Sequence, residues 1–220
     1  PMKTLQDTVD YSSRLLPSLL PEFASLNAEL VLVSPYFVPG ETGVDRLRSL
    51  SERGVKVRVL TNSLASTDVP AVHAGYQKYR RALLDAGVEL YELKQTAARD
   101  AGGSAVAGSR AGAAKPALSG SSRASLHAKV MIFDRRAIFV GSMNLDPRSV
   151  FTNTEIGVVV EQAELATLHA EHLVGQLTDI GFRLELKSAD GPGSAQQIEW
   201  VTNQEGKEIR YAREPMAGSW

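Results

Sequence analysis

The stretch SLHAKVMIFDRRAIFVGSMNLDPRS, from Ser125 to Ser149, crowds His127, Lys129, Asp134, Ser142 and Asn144 into a segment that otherwise reads as two apolar strands. In an extended chain alternate residues share a face, so His127, Lys129, Met131 and Phe133 point one way while Leu126, Ala128, Val130 and Ile132 point the other. His127 and Lys129 are thereby neighbours, with Cα atoms about 6 to 7 Å apart. Asp134 has the opposite parity and begins a turn at DRR, where by parity it serves as a turn or ion-pair residue. AIFVG returns as a second strand. At its end Gly141, Ser142 and Asn144 place a hydroxyl, an amide and turn N–H groups beside the imidazole and the ammonium.

Such a cluster suits a phosphodiester. Lysine, asparagine and serine donors hold non-bridging phosphate oxygens and stabilise the charge of a pentacoordinate phosphorus. An imidazole attacks phosphorus to give a covalent intermediate, or protonates a leaving alkoxide near neutral pH. One imidazole cannot do both in one step, so the chemistry requires two histidines.

Upstream, strands and helices alternate. ELVLVS (29–34) is a short apolar run closed by PYFVPG, and VDRLRSLSERG reads as a helix ending at Gly54. VKVRVLTN alternates apolar and polar residues as a half-buried strand does. From Asp68 to Gly87 the spacing of Val72, Tyr76, Tyr79 and Leu83 predicts one helix, and VELYELK is the next strand. Three strands separated by two helices define an α/β fold, a mixed sheet flanked by helices and containing parallel pairs.

Residues 97–123 break this order. They are nearly all Ala, Gly, Ser and basic residues, with too little apolar bulk to offset the entropy of ordering them, and read as a flexible loop. Downstream, EQAELATLHAEHLVGQL is a helix. FRLELK, IEWVTN and GKEIRYARE follow as strands, giving a C-terminal β extension over about 182–214. The whole of 1–220 reads as a single domain.

Composition bounds the function. The chain has 220 residues, 43% hydrophobic and 22% charged, the profile of an ordinary globular protein. No apolar run is long enough to span a membrane, and the N-terminus lacks the pattern of a signal peptide. With no cysteine, disulfides and thiolate metal sites are excluded. A net charge of −1 makes nucleic acid an unlikely partner, because any anion must be met by a local patch rather than by bulk charge. His169 and His172 sit three apart on a helix, but no third metal ligand accompanies them and they read as helix surface. His73 and Tyr76 lie just after a strand end, the usual ligand side of an α/β sheet, and are candidate substrate contacts. Arg148 is a third candidate, able to reach a phosphate.

The spacing His127-x-Lys129-x4-Asp134-x6-Gly141-Ser142-x-Asn144 resembles the motif of the phospholipase D superfamily in every fixed position. VSPYFVPG, RGVKVRVLTNSLASTD, VHAGYQKYRRALLDAGVELYEL and GSMNLDPRSVFTNTEIGVVV extend the similarity to the C-terminal half of bacterial cardiolipin synthases, in particular the C-type branch. The resemblance implies a phosphatidyltransferase working through phosphohistidine on a phospholipid, with His127, Lys129, Asp134, Ser142, Asn144 and Glu155 as its catalytic set. Glu155 would accept the hydrogen bond of the motif histidine's far nitrogen, as an orienting carboxylate does. No metal or cofactor is implied, since paired lysines and asparagines supply the positive field.

In that family two motif copies build one site. Here the remaining histidines, in HAGYQ, HAEHL and HLVGQ, form no second copy. The resemblance therefore implies an excised half, with the first motif upstream in a longer chain, or else a homodimer. It further implies a bacterial protein, cytoplasmic or peripheral at the anionic inner-membrane surface. A homodimeric single-motif nuclease and a non-catalytic lipid-binding half are the alternatives.

Overall fold

The structure is a computed structural model in which residues 14–95, 125–187, 196–204 and 206–215 are described; the predicted loop at 97–123 lies outside them. One nine-stranded sheet organises these residues. Its centre is three parallel strands, β1 (Glu29–Val33), β2 (Lys56–Asn62) and β3 (Glu89–Leu93). On the β1 side follow β4 (Val130–Phe133), β5 (Ala137–Gly141) and β6 (Gly157–Val160), each antiparallel to its neighbour. On the β3 side follow β7 (Gly181–Lys187), β8 (Gln197–Gln204) and β9 (Lys207–Tyr211), also antiparallel. The order across the sheet is β6-β5-β4-β1-β2-β3-β7-β8-β9.

Helices cover both faces, as a sheet with parallel strands at its centre requires. α1 (Leu15–Ala24), α2 (Gly40–Glu52), α3 (Pro70–Gln77) and α4 (Arg80–Asp85) lie on one face. Leu19, Leu47, Tyr76 and Leu83 from these helices pack there against Leu30, Leu32, Val59, Leu90, Met131 and Phe133. A short α5 (Pro147–Phe151) precedes β6. The long α6 (Ala163–Ile180) covers the opposite face, setting Ala166 and Ala170 on Val31, Ile132 and Ile138, and Leu177 on Val33 and Leu60.

Two elements differ from their sequence reading. β2 is buried on both faces from Val57 to Asn62 rather than half-buried. Its basic residue Arg58 is tolerated inside because Glu29 and Glu89 from the two flanking strands bind its guanidinium, Glu89 at 2.9 Å. The single helix predicted from Asp68 to Gly87 is two helices. At the junction Tyr79 N–H bonds the Tyr76 carbonyl at 2.9 Å, an i→i−3 bond. That tighter turn overwinds the chain and carries Arg80 into the interior, where it is 5% exposed.

The β4–β5 hairpin turns at Asp134 and Arg135, both left-handed (φ 50° and 52°), the backbone that a tight hairpin turn demands. Further along, Gly141 and Gly157 face each other across β5 and β6 with the Phe139 ring lying over them. A Cβ on Gly157 would sit 2.1 Å from that ring, so only glycine fits.

Candidate active site

The strand registers bring the motif together. β4 runs antiparallel to β1, and Val130 pairs with Val33 at the end of β1. Residues 125–129 therefore project past the carboxyl edge of the parallel strands, the edge where open α/β sheets bind ligands. Gly141 N–H bonds the Lys129 carbonyl at 3.2 Å, and Gly141 pairs with Gly157. Lys129, Ser142 and Glu155 are thus delivered to one edge by three adjacent strands.

His127 and Lys129 meet as their parity predicts. The Lys129 ammonium lies 3.3 Å from His127 Nε2 and donates to the His127 carbonyl at 2.8 Å. The imidazole is exposed, whereas Lys129 is 8% exposed. Burial pushes the Lys129 ammonium below the usual lysine range, against the pull of the Glu155 and Asp68 carboxylates.

Ser142 is held from both sides. Its N–H bonds the Ile156 carbonyl at 2.8 Å, its hydroxyl accepts from Ile156 N–H at 3.0 Å, and the same hydroxyl donates to Glu155 Oε2. Asn153 Nδ2 donates to Glu155 Oε1 at 3.3 Å. Glu155 therefore engages Ser142 and Asn153, not the His127 ring. The Ser142 hydroxyl, fixed by its pairing with Ile156, takes up one carboxylate oxygen.

Asn144 sits in the turn that follows β5. Leu145 N–H bonds Ser34 Oγ at 3.1 Å and the Leu145 carbonyl accepts from Val38 N–H at 2.7 Å, tying that turn to the end of β1. Asp146 caps α5 by accepting from the Arg148 and Ser149 N–H groups, with Pro147 in the first helical position. The Asn144 Oδ1 is buried and has no hydrogen-bond partner among the described residues. Arg148 lies in the first turn of α5 with its side chain exposed.

Two polar residues absent from the sequence reading complete the edge. Tyr36, just past β1, donates its hydroxyl to Asp68 at 2.9 Å. Burial and the Asp68 carboxylate push that phenol up to about 12. Neither residue stands out by periodicity, because loops after two different strands supply them.

Asp134 lies elsewhere, at the far end of β4. Its carboxylate accepts from the N–H groups of Asn27, Ala28 and Glu29 at 2.8, 2.9 and 2.8 Å, bracing the entry to β1. The structure does not bring it to His127 and Lys129, in line with its parity. Burial pushes the Asp134 carboxyl up, but the three donors and the Arg136 charge outweigh this and hold it below the usual carboxylate range. Asp134→Ala is expected to cost about 2–3 kcal/mol in urea unfolding, because three backbone donors lose a charged acceptor. A carboxylate with a lowered pKa stabilises the fold above its unfolded value near pH 4. The gap between Asp134→Ala and wild type is therefore full at neutral pH and closes as the pH falls below about 4.

His73 and Tyr76 do not line the site either. His73 is 3% exposed, with Nε2 3.0 Å from Glu214 and 3.0 Å from Arg80 Nη2. Tyr76 is buried, with the Arg80 guanidinium 5.2 Å from its ring centre. Both belong to an interior cluster that ties α3 and α4 to β3, β8 and the segment after β9. This corrects their reading as substrate contacts: the strand-end position is right, but the side chains turn inward toward buried charge. His169 and His172 are exposed on α6, and the His169 ring contacts the Leu165 carbonyl one turn back at 2.9 Å.

The histidine–lysine pair, Ser142 and Asn144 thus stand on the carboxyl edge of a mixed sheet. The family model described as cardiolipin synthase, PLD-like domain matches residues 19–175. The chain belongs to that family. It is 40% identical to cardiolipin synthase C of Escherichia coli K12 over 207 residues, 94% of this chain and 40% of that protein. The chain thus spans less than half the length of this relative. Among solved structures, the fold is similar to the phospholipase D family member Nuc of Salmonella typhimurium, with TM-score 0.52 and 17% identity over 76% of this chain and 89% of that one. It is also similar to phosphatidylserine synthase of Haemophilus influenzae, with TM-score 0.54 and 17% identity over 79% of this chain and 38% of that one. No helix among the described residues is long and apolar enough to cross a membrane.

Proposed function

We propose that this chain is one half of a phosphatidyltransferase of the cardiolipin synthase kind, completed by a second motif-bearing half. The observation that carries this reading is the charge balance at the sheet edge. One Lys129 ammonium there faces the carboxylates of both Glu155 and Asp68. A second lysine and histidine from another half would add the positive charge that a phosphodiester anion calls for beside these carboxylates. The neighbouring surface supports the same reading. Val140 on β5, Ile156 just before β6, Val158 on β6 and Leu168 on α6 are 50%, 76%, 61% and 64% exposed. Apolar side chains on an edge strand beside a site suit a packed interface.

In the completed site one of the two imidazoles attacks phosphorus. A P–N bond forms as the bond from phosphorus to the leaving oxygen breaks, and the other imidazole protonates that oxygen. The second imidazole then takes the proton of an acceptor alcohol, whose oxygen displaces the first imidazole from phosphorus. With a lipid alcohol as acceptor the product is a new phospholipid diester. Lys129, Ser142 and Asn144 hold the non-bridging oxygens. A phospholipid substrate would bring this work to an anionic membrane surface.

The test is reconstitution. Vesicles of phosphatidylglycerol are given this chain alone, and this chain joined to a second motif-bearing half. Cardiolipin is expected only from the joined form. A chain that dimerises in light scattering and cuts single-stranded DNA would instead be a nuclease. Vesicle binding without turnover in the joined form would mark a non-catalytic half.

A further inference from the structure

We infer that Asn62 is a positioning residue for the His127 segment. The ladder between β4 and β1 ends at Val130 and Val33, so the chain that carries His127 continues past its strand partner. Asn62, the last residue of β2 and 2% exposed, takes over there. Its Oδ1 accepts from Leu126 N–H at 3.0 Å and its Nδ2 donates to the Leu126 carbonyl at 3.3 Å. One carboxamide thereby pairs with both backbone groups of a single residue, as the facing residue of a strand would. Leu126 is the residue before His127.

The same side chain ties the remaining loops of this edge together. Nδ2 is also 3.2 Å from Ser125 Oγ and 3.3 Å from the Pro35 carbonyl, next to Tyr36, while Oδ1 accepts from Ser66 Oγ at 3.1 Å. A buried amide at the end of an otherwise apolar strand is unfavourable unless satisfied. Here every group that satisfies it lies on a segment flanking the site. The imidazole is exposed and holds its place through its backbone, so the anchoring of Leu126 sets the angle at which His127 meets phosphorus. Small errors of placement at reacting atoms cost about 100-fold in rate.

This inference rests on the transferase reading, and two readouts keep the two apart. In the enzyme joined to its second half, Asn62→Ala and Asn62→Asp are expected to lower kcat by about 10- to 100-fold with KM changed less than about 3-fold. Val57→Ala, at the far end of the same strand, serves as a stability control and is expected to retain kcat. In the 220-residue chain, amide exchange of Leu126 is expected to lose protection in Asn62→Ala and to keep it in Asn62→Asp, which retains the acceptor oxygen. A wild-type kcat in both variants, a kcat loss matched by Val57→Ala, or a Leu126 amide unchanged in Asn62→Ala would overturn the assignment. If the joined wild-type enzyme transfers nothing, the transferase reading fails, and the Leu126 amide still decides whether Asn62 holds the segment.

Discussion

His127→Ala is expected to lower phosphatidyl transfer by the joined enzyme about 10⁴-fold or more, the scale on which enzymes lose rate when an imidazole of the reacting set is removed. Whether His127 bonds to phosphorus or moves the proton, the loss falls on kcat, because both roles act in the transition state. The fold is expected to be indifferent. The ring is exposed and its recorded contact is the Lys129 ammonium at 3.3 Å, so the unfolding midpoint should stay within about 2 °C of wild type. Activity assay and thermal melt of the same preparation separate the two effects. A loss of activity accompanied by a large fall in the midpoint would assign His127 to structure instead.

The largest effect on stability is expected at Arg80. Glu92 is 0% exposed, and its carboxylate is held by Arg80 Nε at 2.7 Å and by Trp200 Nε1 at 2.9 Å. Arg80 also reaches Glu214 at 3.0 Å and stands 5.3 Å from the Trp200 ring centre. Burial pushes the Glu92 carboxyl up and the Arg80 charge restrains it. Burial pushes Glu214 the same way, but the His73 bond and Arg80 outweigh it and hold that carboxyl down at about 2.

Arg80→Met leaves Glu92 charged and buried without its cation, a change worth about 3–5 kcal/mol, or about 10 °C in midpoint. The penalty falls on the ionised carboxyl. A group with a raised folded pKa stabilises the fold at low pH and loses that contribution as the pH rises through its folded value. The variant is therefore expected to recover part of its deficit on acidification as its own unpaired Glu92 takes up a proton, whereas the Asp134→Ala gap closes because the wild-type Asp134 is protonated. Adding Glu92→Met should restore part of the stability, because it removes the unpaired buried carboxylate, while Glu214 still lacks Arg80 and Trp200 Nε1 loses its acceptor. Urea midpoints of the single and double variants measure this directly. A single variant as stable as wild type would show the cluster to be dispensable.

The central part of this architecture was legible in the sequence because its signals are local. Alternation of apolar runs with helical spacing gave β1, β2 and β3 and the helices between them. The period of two gave His127 and Lys129 a common side and set Asp134 apart. What escaped depends on topology. Asn62, Tyr36 and Asp68 stand in loops or at a strand end and have no periodic signature; parallel pairing of β1 and β2 and the return of β4 bring their neighbourhoods together. His73 and Tyr76 carried the right position but the wrong direction, since the overwound turn at Tyr79 and the buried Glu92 lie outside any window around them. α1 was hidden by Pro17 and Pro21 within its ten residues. Proline lowers helix propensity in its interior, and only the packing of Leu19 against the sheet face compensates. Glu155 was implied by the family resemblance, but its partner, Ser142, is set by the β5–β6 register and not by spacing along the chain.

The grip on phosphorus is tested most directly by a crystal structure of the joined enzyme with tungstate, an oxyanion that stands in for the reacting phosphoryl group. The expected result is the anion seated between His127 Nε2 and Lys129 Nζ, within hydrogen-bond distance of both, with the amide of Asn144 turned toward it. Tungstate bound elsewhere, with these two side chains unmoved and the space between them filled by the second half, would contradict a role for this pair in phosphodiester chemistry.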